Sequence, residues 1–497
     1  MKTHHHFLQI LLFLLLLSCK SSPEKISEVS EVKERPLVQA ILQDPASFYY
    51  IDFEQYPEMD KSLPIGVFDS GTGGLTVLDA LVRFDGHNNG SGGEGSDKIP
   101  DFASEKFIYL ADQANMPYGN YSSEGKTELL VEHVLKDAQF LLSDKYYPEG
   151  AQHPSKGKEP VKSIVIACNT ATAYGSEILT EFMDKTGIEL KVIGVIDAGA
   201  RGTLATFGKE ENGSIAVMAT VGTIQSKGYE NTLKRLKEEL GYTGEIQIFN
   251  QGGHGIAEAV DDDPDFINAG LKQPREEYRG PSLSSTEFPI DRTLMDIYNF
   301  EFDHGKMLCD SNSTDDCQVL QLNAPENYVR YHVVSLLEKI RTAEDPQPLK
   351  AIVLGCTHYP YLTEEIGQVL DELYAYQKNG EYLYRPYMVA DIAIVDPAIN
   401  VAEELFQYLQ EKQLFNPAGD MRSSEFYISI PNTFNPNVKL DEQGRFPYDY
   451  KYGRDEGEIQ EYVQVVPFSS NNISRDTYER FQNSIPETYE LIEAFQE

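Results

Sequence analysis

Two stretches far apart in the chain follow one local pattern. Ile164, Val165, Ile166 and Ala167 lead into Cys168, Asn169, Thr170 and Ala171; Ile352, Val353, Leu354 and Gly355 lead into Cys356, Thr357 and His358. A short, uninterrupted, β-branched run is how a strand covered on both faces of a parallel sheet reads. Each run then passes through a small residue and a cysteine to polar residues able to cap a helix or hold a ligand. Open α/β sheets bind ligands just beyond the carboxyl ends of their strands. The pattern therefore places both thiols where chemistry is done.

The rest of the chain fits that frame. Ile65, Gly66, Val67, Phe68 and Asp69 form a short apolar run that enters a turn containing Gly71, Gly73 and Gly74, followed by an amphipathic helix ending near Phe84. Glycines there let backbone N–H groups approach a ligand. The turn lacks the Gly-Lys-Ser/Thr of a Walker A loop and the glycine spacing of a dinucleotide fingerprint. Further strands are expected over 107–110, 163–167, 191–196, 214–219, 245–249, 351–355 and 388–395. Helices are expected over 123–142, 171–185, 227–240, 326–342, 363–376 and 399–412. This alternation implies an α/β fold with a mostly parallel sheet. Residues 86–98 and 148–160 read as surface loops, and the polar stretch 261–325 as an insertion. Residues 415–497 are less regular, with one clear strand over 425–430 and a helix near the end.

At 497 residues the chain has room for two or more domains. Its formal net charge of -37 argues against nucleic acid as a partner, because a phosphate-seeking surface is basic. An anionic substrate would need local donors to overcome that field. Residues 7–17 form an apolar run of signal-peptide length, too short to span a bilayer, and it ends Leu16, Leu17, Ser18, Cys19. This resembles a bacterial lipobox, in which 1–18 are removed and Cys19 is lipidated, making the chain an exported, membrane-anchored lipoprotein. A plain secretory signal with an incidental cysteine is the alternative. Residues 19–63 then form a polar tether and N-terminal extension. Cys309 and Cys317 flank a polar loop; in an oxidising compartment they pair as a disulfide, and otherwise are two surface thiols. That leaves Cys168 and Cys356 as an isolated pair.

The phrases Phe68-Asp69-Ser70-Gly71 with Gly73-Gly74-Leu75, Pro117-Tyr118-Gly119, Ala167-Cys168-Asn169-Thr170-Ala171, Thr220 with Thr223, and Gly355-Cys356-Thr357-His358-Tyr359-Pro360 occur in that order over residues 64–413. Together they resemble the cofactor-independent glutamate racemases of the aspartate/glutamate racemase superfamily. The resemblance implies two pseudo-symmetric parallel-sheet α/β domains with the active site between them, one cysteine from each. Domain A would span 64–195, completed by 380–413, and domain B 196–379, carrying the insertion 261–325. Residues 414–497 would be a C-terminal extension. The resemblance makes Cys168 and Cys356 the catalytic pair, with Asp69, Ser70, Tyr118, Gly119, Asn169, Thr170, Thr220, Thr223, Thr357 and His358 around the substrate. It implies a small acidic amino acid as substrate, no organic cofactor and no metal; a homodimer is compatible with it. Asp197-Ala198 stands where the family usually has Glu-Pro, and Asn250 to Gly255 replace a segment usually more apolar.

Racemisation removes the Cα proton on one face and returns one on the other, which two bases on opposite faces do without moving. A thiol suits that role because its reference pKa of about 8.5 falls at a helix N-terminus. Each thiol would act as thiolate base in one direction and thiol acid in the other. With no cofactor to take up the carbanion's charge, preorganised donors must do so. The expected reaction is interconversion of L- and D-glutamate, a supply of D-glutamate for peptidoglycan. The alternatives are aspartate or another acidic amino acid, or a racemase-derived lipoprotein that binds without turnover. Export raises a conflict: two thiols facing one pocket in an oxidising space could cross-link unless spacing or burial prevents it.

Overall fold

The first apolar run, Ile65–Asp69 (β1), is buried along its whole length. Ile65 and Val67 enter a core on one face and Phe68 a core on the other, so the strand needs apolar residues at consecutive positions. The computed structural model describes residues 35–260, 265–311 and 316–496. The expected signal peptide, Cys19 and the first part of the tether lie outside the described residues. Among the described residues no helix is long and apolar enough to cross a membrane.

After β1 come α1 (Leu75–Arg83), β2 (Phe107–Ala111), α2 (Thr127–Leu142), β3 (Ser163–Ile166), α3 (Asn169–Thr186), β4 (Lys191–Gly194) and α4 (Val195–Ala205). The second half opens with β5 (Gly213–Ala219), α5 (Val221–Ser226), α6 (Gly228–Glu239) and β6 (Ile246–Gly252). It continues through α7 (Pro325–Arg341), β7 (Leu349–Gly355), α8 (Thr363–Ala375), β8 (Met388–Val395) and α9 (Pro397–Glu411). The chain ends with β9 (Glu425–Pro431), β10 (Val463–Pro467), α10 (Arg475–Ser484) and α11 (Pro486–Gln496).

These strands form two sheets. The first runs β10-β9-β2-β1-β3-β4, parallel except for β10, which is antiparallel to β9. The second runs β8-β7-β5-β6 and is all parallel. The order β2-β1-β3-β4 in the first is repeated as β6-β5-β7-β8 in the second. The fold is α/β with internal pseudo-symmetry, as the matched cysteine strands imply.

Two features differ from the sequence reading. Strand β8 does not complete the first domain: its Ala393, Ile394 and Val395 pair with Ala351, Ile352 and Val353 of the second sheet. Only the following helix, α9, crosses back to pack on α1, α4 and β4. An edge strand's sequence gives its burial pattern but not which edge it joins, and the free edge beside β7 accepted it. The C-terminal segment is also not an appendage. Strand β9 pairs in parallel with β2, Phe426 opposite Tyr109, and covers an edge that would otherwise expose unpaired N–H and C=O groups.

Alternation along the strands divides the interior into three cores. Val67, Val165, Ile215, Val217 and Val353, from both sheets, share one cluster with α4 and α9. Phe68, Ile164 and Ile166 face α2 and α3; Met218, Ile352 and Leu354 face α7 and α8. The insertion sends Tyr298, Phe300 and Met307 into that last cluster. It also contains the hairpin Met307–Cys309 with Leu320–Leu322, closed by a Cys309–Cys317 disulfide with Cα atoms 5.6 Å apart.

Candidate active site

In the first sheet the chain passes from β1 to β2 on one side, then returns to place β3 on the other. The connections therefore part company between β1 and β3, which opens a crevice at the strands' carboxyl ends. Asp69 closes β1, and Cys168 follows β3. The second sheet repeats the arrangement between β5 and β7, with Thr220 following β5 and Cys356 following β7. Identical strand order thus delivers one thiol from each sheet to a switch point.

The two switch points open into one cleft of about 680 Å³. Asp69, Ser70, Cys168, Asn169 and Thr170 line it from the first sheet. Thr220, Thr223, Cys356, Thr357 and His358 line it from the second. Gly73 sits where the halves meet. A Cβ there would lie 3.6 Å from both Asp69 Oδ2 and Thr357 Oγ1, in ordinary contact with both walls.

Cys168 is the N-cap of α3, and its Sγ accepts a hydrogen bond from the Ala171 N–H at 3.4 Å. Ser70 Oγ lies 3.7 Å from the same sulfur. Burial pushes the Cys168 thiol up, and the neighbouring Asp69 charge pushes it further; the Ala171 N–H and Ser70 pull it back. Asp69 is itself raised by burial, opposed chiefly by the Gly74 N–H, which donates to Oδ2 at 2.8 Å. In the second sheet, Cys356 Sγ is 3.7 Å from His358 Nδ1. A single turn, Tyr359–Leu362, separates this thiol from α8, whereas Cys168 stands directly on its helix. Thr220 caps α5 through the Thr223 N–H, and the two threonine hydroxyls are 3.0 Å apart. Tyr229 of α6 donates to Asn169 Oδ1 at 3.2 Å, tying the two halves together behind the site.

Tyr118 and Gly119 follow directly on Met116 and Pro117, which line the cleft, and are not themselves in its lining. The Tyr118 side chain is buried, its hydroxyl 2.6 Å from a carboxylate oxygen of both Asp112 and Asp137. Burial, then the charge of Asp112, holds Asp137 well above the ordinary carboxylate range. These buried partners hold the ring inside the first domain. Gly119 begins the short helix Gly119–Ser123 with no atom within 4 Å of where its Cβ would be. The same loop reaches the cleft through Met116 and Pro117.

The sequence reading missed Gln113, and also Asn472, Ile473, Ser474, Thr477 and Arg480, which close the cleft from the C-terminal segment. Gln113 lies next to a recognised phrase. The C-terminal residues carry no local signal, because tertiary contacts bring them here: β9 pairs with β2, and Ile473 and Phe481 enter the core shared by both sheets. The departure at Asp197 leads elsewhere: its Oδ1 accepts from Arg235 at 2.7 Å and does not line the cleft. Both cleft cysteines are free thiols and buried. Among the described residues, the cluster able to share a metal ion is Cys309, Asp310 and Cys317, and the disulfide occupies both its sulfurs.

The glutamate racemase of Oceanobacillus iheyensis is 35% identical to this chain over 371 residues, covering 75% of this chain and 87% of the relative. The chain belongs to the glutamate racemase family. The glutamate racemase of Geobacter metallireducens is 32% identical over 371 residues, covering 74% of this chain and 89% of the relative. Among solved structures, glutamate racemase isoform RacE1 from Bacillus anthracis aligns at 22% identity and a TM-score of 0.41, covering 74% of this chain and 87% of that one. No protein-family model matches the chain. For a glutamate racemase relative, the cleft brings together two thiols, hydroxyl and amide donors, and the N-terminus of α3.

Proposed function

We propose that this protein interconverts L- and D-glutamate by a two-base mechanism without a cofactor, with Cys168 and Cys356 as the two bases. The observation that carries this reading is that the two free thiols, from equivalent switch points of sheets with the same strand order, line one cleft. One sulfur, as thiolate, takes the Cα proton. The other, as thiol, gives a proton to the opposite face; the reverse reaction exchanges the roles. The substrate α-carboxylate lies against the N-terminus of α3 and the side chains of Asn169 and Thr170, where helix N–H groups favour negative charge. That placement also spreads the charge of the carbanion as it forms. Thr220, Thr223 and Thr357 supply further donors, Asp69 raises the Cys168 thiol, and His358 Nδ1 stands 3.7 Å from the Cys356 sulfur.

The test is solvent deuterium incorporation at Cα from each enantiomer. The intact, reduced protein is expected to exchange both. Cys168→Ala and Cys356→Ala should each lower racemisation by about 10²–10⁴-fold, the usual contribution of a positioned proton-transfer group. Absence of exchange in the intact protein would defeat the proposal.

We further propose that the enzyme is exported and anchored through a lipid on Cys19, supplying D-glutamate for peptidoglycan. The lipobox-like Leu16-Leu17-Ser18-Cys19 supports this, as does the Cys309–Cys317 disulfide, a bond typical of oxidising compartments. Burial of Cys168 and Cys356 is consistent with thiols that persist there. Mass analysis of the mature chain should find an N-terminus at Cys19 carrying acyl groups. An unmodified N-terminus, or a retained leader, would rule the anchor out.

A further inference from the structure

We infer that the C-terminal segment clamps one wall of the cleft: Ser429 of β9, and Arg454 just after the short helix Tyr448–Gly453, are positioning residues that hold the loop 113–117 ready for substrate. The inference rests on the proposed racemase reading of the cleft.

The loop follows β2 and contributes Gln113, Met116 and Pro117 to the cleft wall. It lies directly on the turn that carries Asp69 and Ser70. A Cβ on Gly71 would stand 2.5 Å from Met116 Sδ and 3.1 Å from Gln113 Oε1, and the Asp112 N–H donates to the Asp69 carbonyl at 2.9 Å. Four consecutive loop residues are bonded from the C-terminal segment. The Ala114 N–H donates to Ser429 Oγ at 3.0 Å, and that hydroxyl in turn donates to Asp112 Oδ1 at 2.6 Å. Asn115 Oδ1 accepts from Arg454 Nη2 at 2.7 Å. The Met116 carbonyl accepts from Lys451 Nζ, and the Pro117 carbonyl, at 3.4 Å, from the Tyr452 hydroxyl.

The clamp is itself fixed. Ser429, Tyr452 and Arg454 are buried, as is Asn115. Ile428 pairs with Ala111 at the end of β2, so Ser429 arrives where the loop begins. The Arg454 guanidinium lies 4.9 Å from the Phe446 ring and 5.2 Å from the Tyr462 ring, faces that attract a cation. Buried hydrogen bonds of this kind are costly to leave unmade, so the loop keeps one arrangement. A wall set in place beforehand binds a ligand without the cost of ordering it. Where the wall is in place in only a fraction of the molecules, apparent affinity falls by that fraction.

The test separates KM from kcat for L-glutamate in the native chain and in Ser429→Ala, Arg454→Gln, Arg454→Lys and Tyr450→Phe. Calorimetric titration with L-glutamate and amide hydrogen exchange over residues 112–119 run in parallel, and circular dichroism confirms folding. Ser429→Ala and Arg454→Gln should each raise KM and Kd by about three- to tenfold, the usual range for a lost hydrogen bond. Their kcat should stay within about twofold, because at saturation the bound glutamate itself selects the positioned loop. Exchange over 112–119 should quicken in both variants and slow again with saturating L-glutamate. Arg454→Lys, which keeps a charged donor, should recover part of the loss. Tyr450→Phe removes a bond to the Asn437 carbonyl on the same short helix and should behave as native. Native KM and Kd in both Ser429→Ala and Arg454→Gln, a fall in kcat alone, unchanged exchange over the loop, or an equal effect in Tyr450→Phe would overturn the inference. If the native chain binds glutamate but does not racemise it, the proposed activity fails while Kd and exchange still decide the role of the clamp. A native chain that neither binds nor racemises glutamate overturns both.

Discussion

Cys168 shows how one residue can be pushed in two directions by its surroundings. As the cap of α3 it accepts the Ala171 N–H, which favours thiolate. Burial and the Asp69 charge favour thiol, and that side prevails, since the group is raised overall. A thiol raised this way remains protonated and ready to donate, and it makes a strong base once its proton is lost. Asp69→Asn keeps an acceptor for the Gly74 N–H but removes the charge, so the Cys168 pKa should fall. In the direction where Cys168 abstracts the proton, the acid limb of the kcat profile should move to lower pH. In the other direction Cys168 must carry a proton, so the alkaline limb should move down as well. Profiles measured in both directions that do not move would show that Asp69 leaves the thiol alone. At this scale the sequence was a good guide to position wherever position depends on neighbours in the chain: Cys168, Asn169, Cys356 and Thr357 all line the cleft. The direction of the Tyr118 side chain was not legible in this way, because it is set by Asp112 and by the distant Asp137.

Elements were legible when their pattern was two-sided and their ends were marked. The runs before Cys168 and Cys356 became β3 and β7, and the expected 326–342 and 363–376 helices form over Pro325–Arg341 and Thr363–Ala375. The glycine turn after β1 was legible as a close approach but not as to what it approaches. A Cβ on Gly74 would stand 2.5 Å from Asp69 Cβ and 2.9 Å from Ala167 Cβ, so the turn fits between two strand ends. Gly74→Ala should therefore destabilise the fold by about 1–3 kcal/mol through overpacking, measured by urea unfolding, and should weaken turnover by displacing Asp69. A variant of native stability would mean the turn relaxes freely. Strand β8 was recognised as a strand but placed with the wrong partner, because an edge strand's residues are equally at home on either sheet.

For the whole molecule, the question is what ties the C-terminal segment to the racemase body. Lys162, just before β3, is buried with Glu105; Nζ donates to Oε2 at 2.6 Å, to the Lys61 carbonyl at 2.8 Å and to the Leu414 carbonyl at 2.9 Å. The other Glu105 oxygen accepts the Asn416 N–H at 2.7 Å. One ammonium thus fastens the N-terminal extension, the strand preceding Cys168 and the start of the C-terminal segment. Lys162→Met removes that hub and leaves Glu105 buried without its counter-charge. The expected cost is about 3–5 kcal/mol, read from chemical unfolding at neutral pH; a loss below about 1 kcal/mol would show that the pair contributes little.

The sequence by itself determined the α/β class, the duplicated strand-cysteine units and, through them, the family and the reaction. Each of these is written in a few consecutive residues, because strand burial, helix capping and the turn glycines act over short distances along the chain. The tertiary structure decided which sheet received β8, where the Tyr118 ring turned, and that a helix near the C-terminus walls the cleft and brings Arg480 to it. Those outcomes depend on which free sheet edge and which buried partner a segment meets once the chain has collapsed, and no local pattern encodes that meeting.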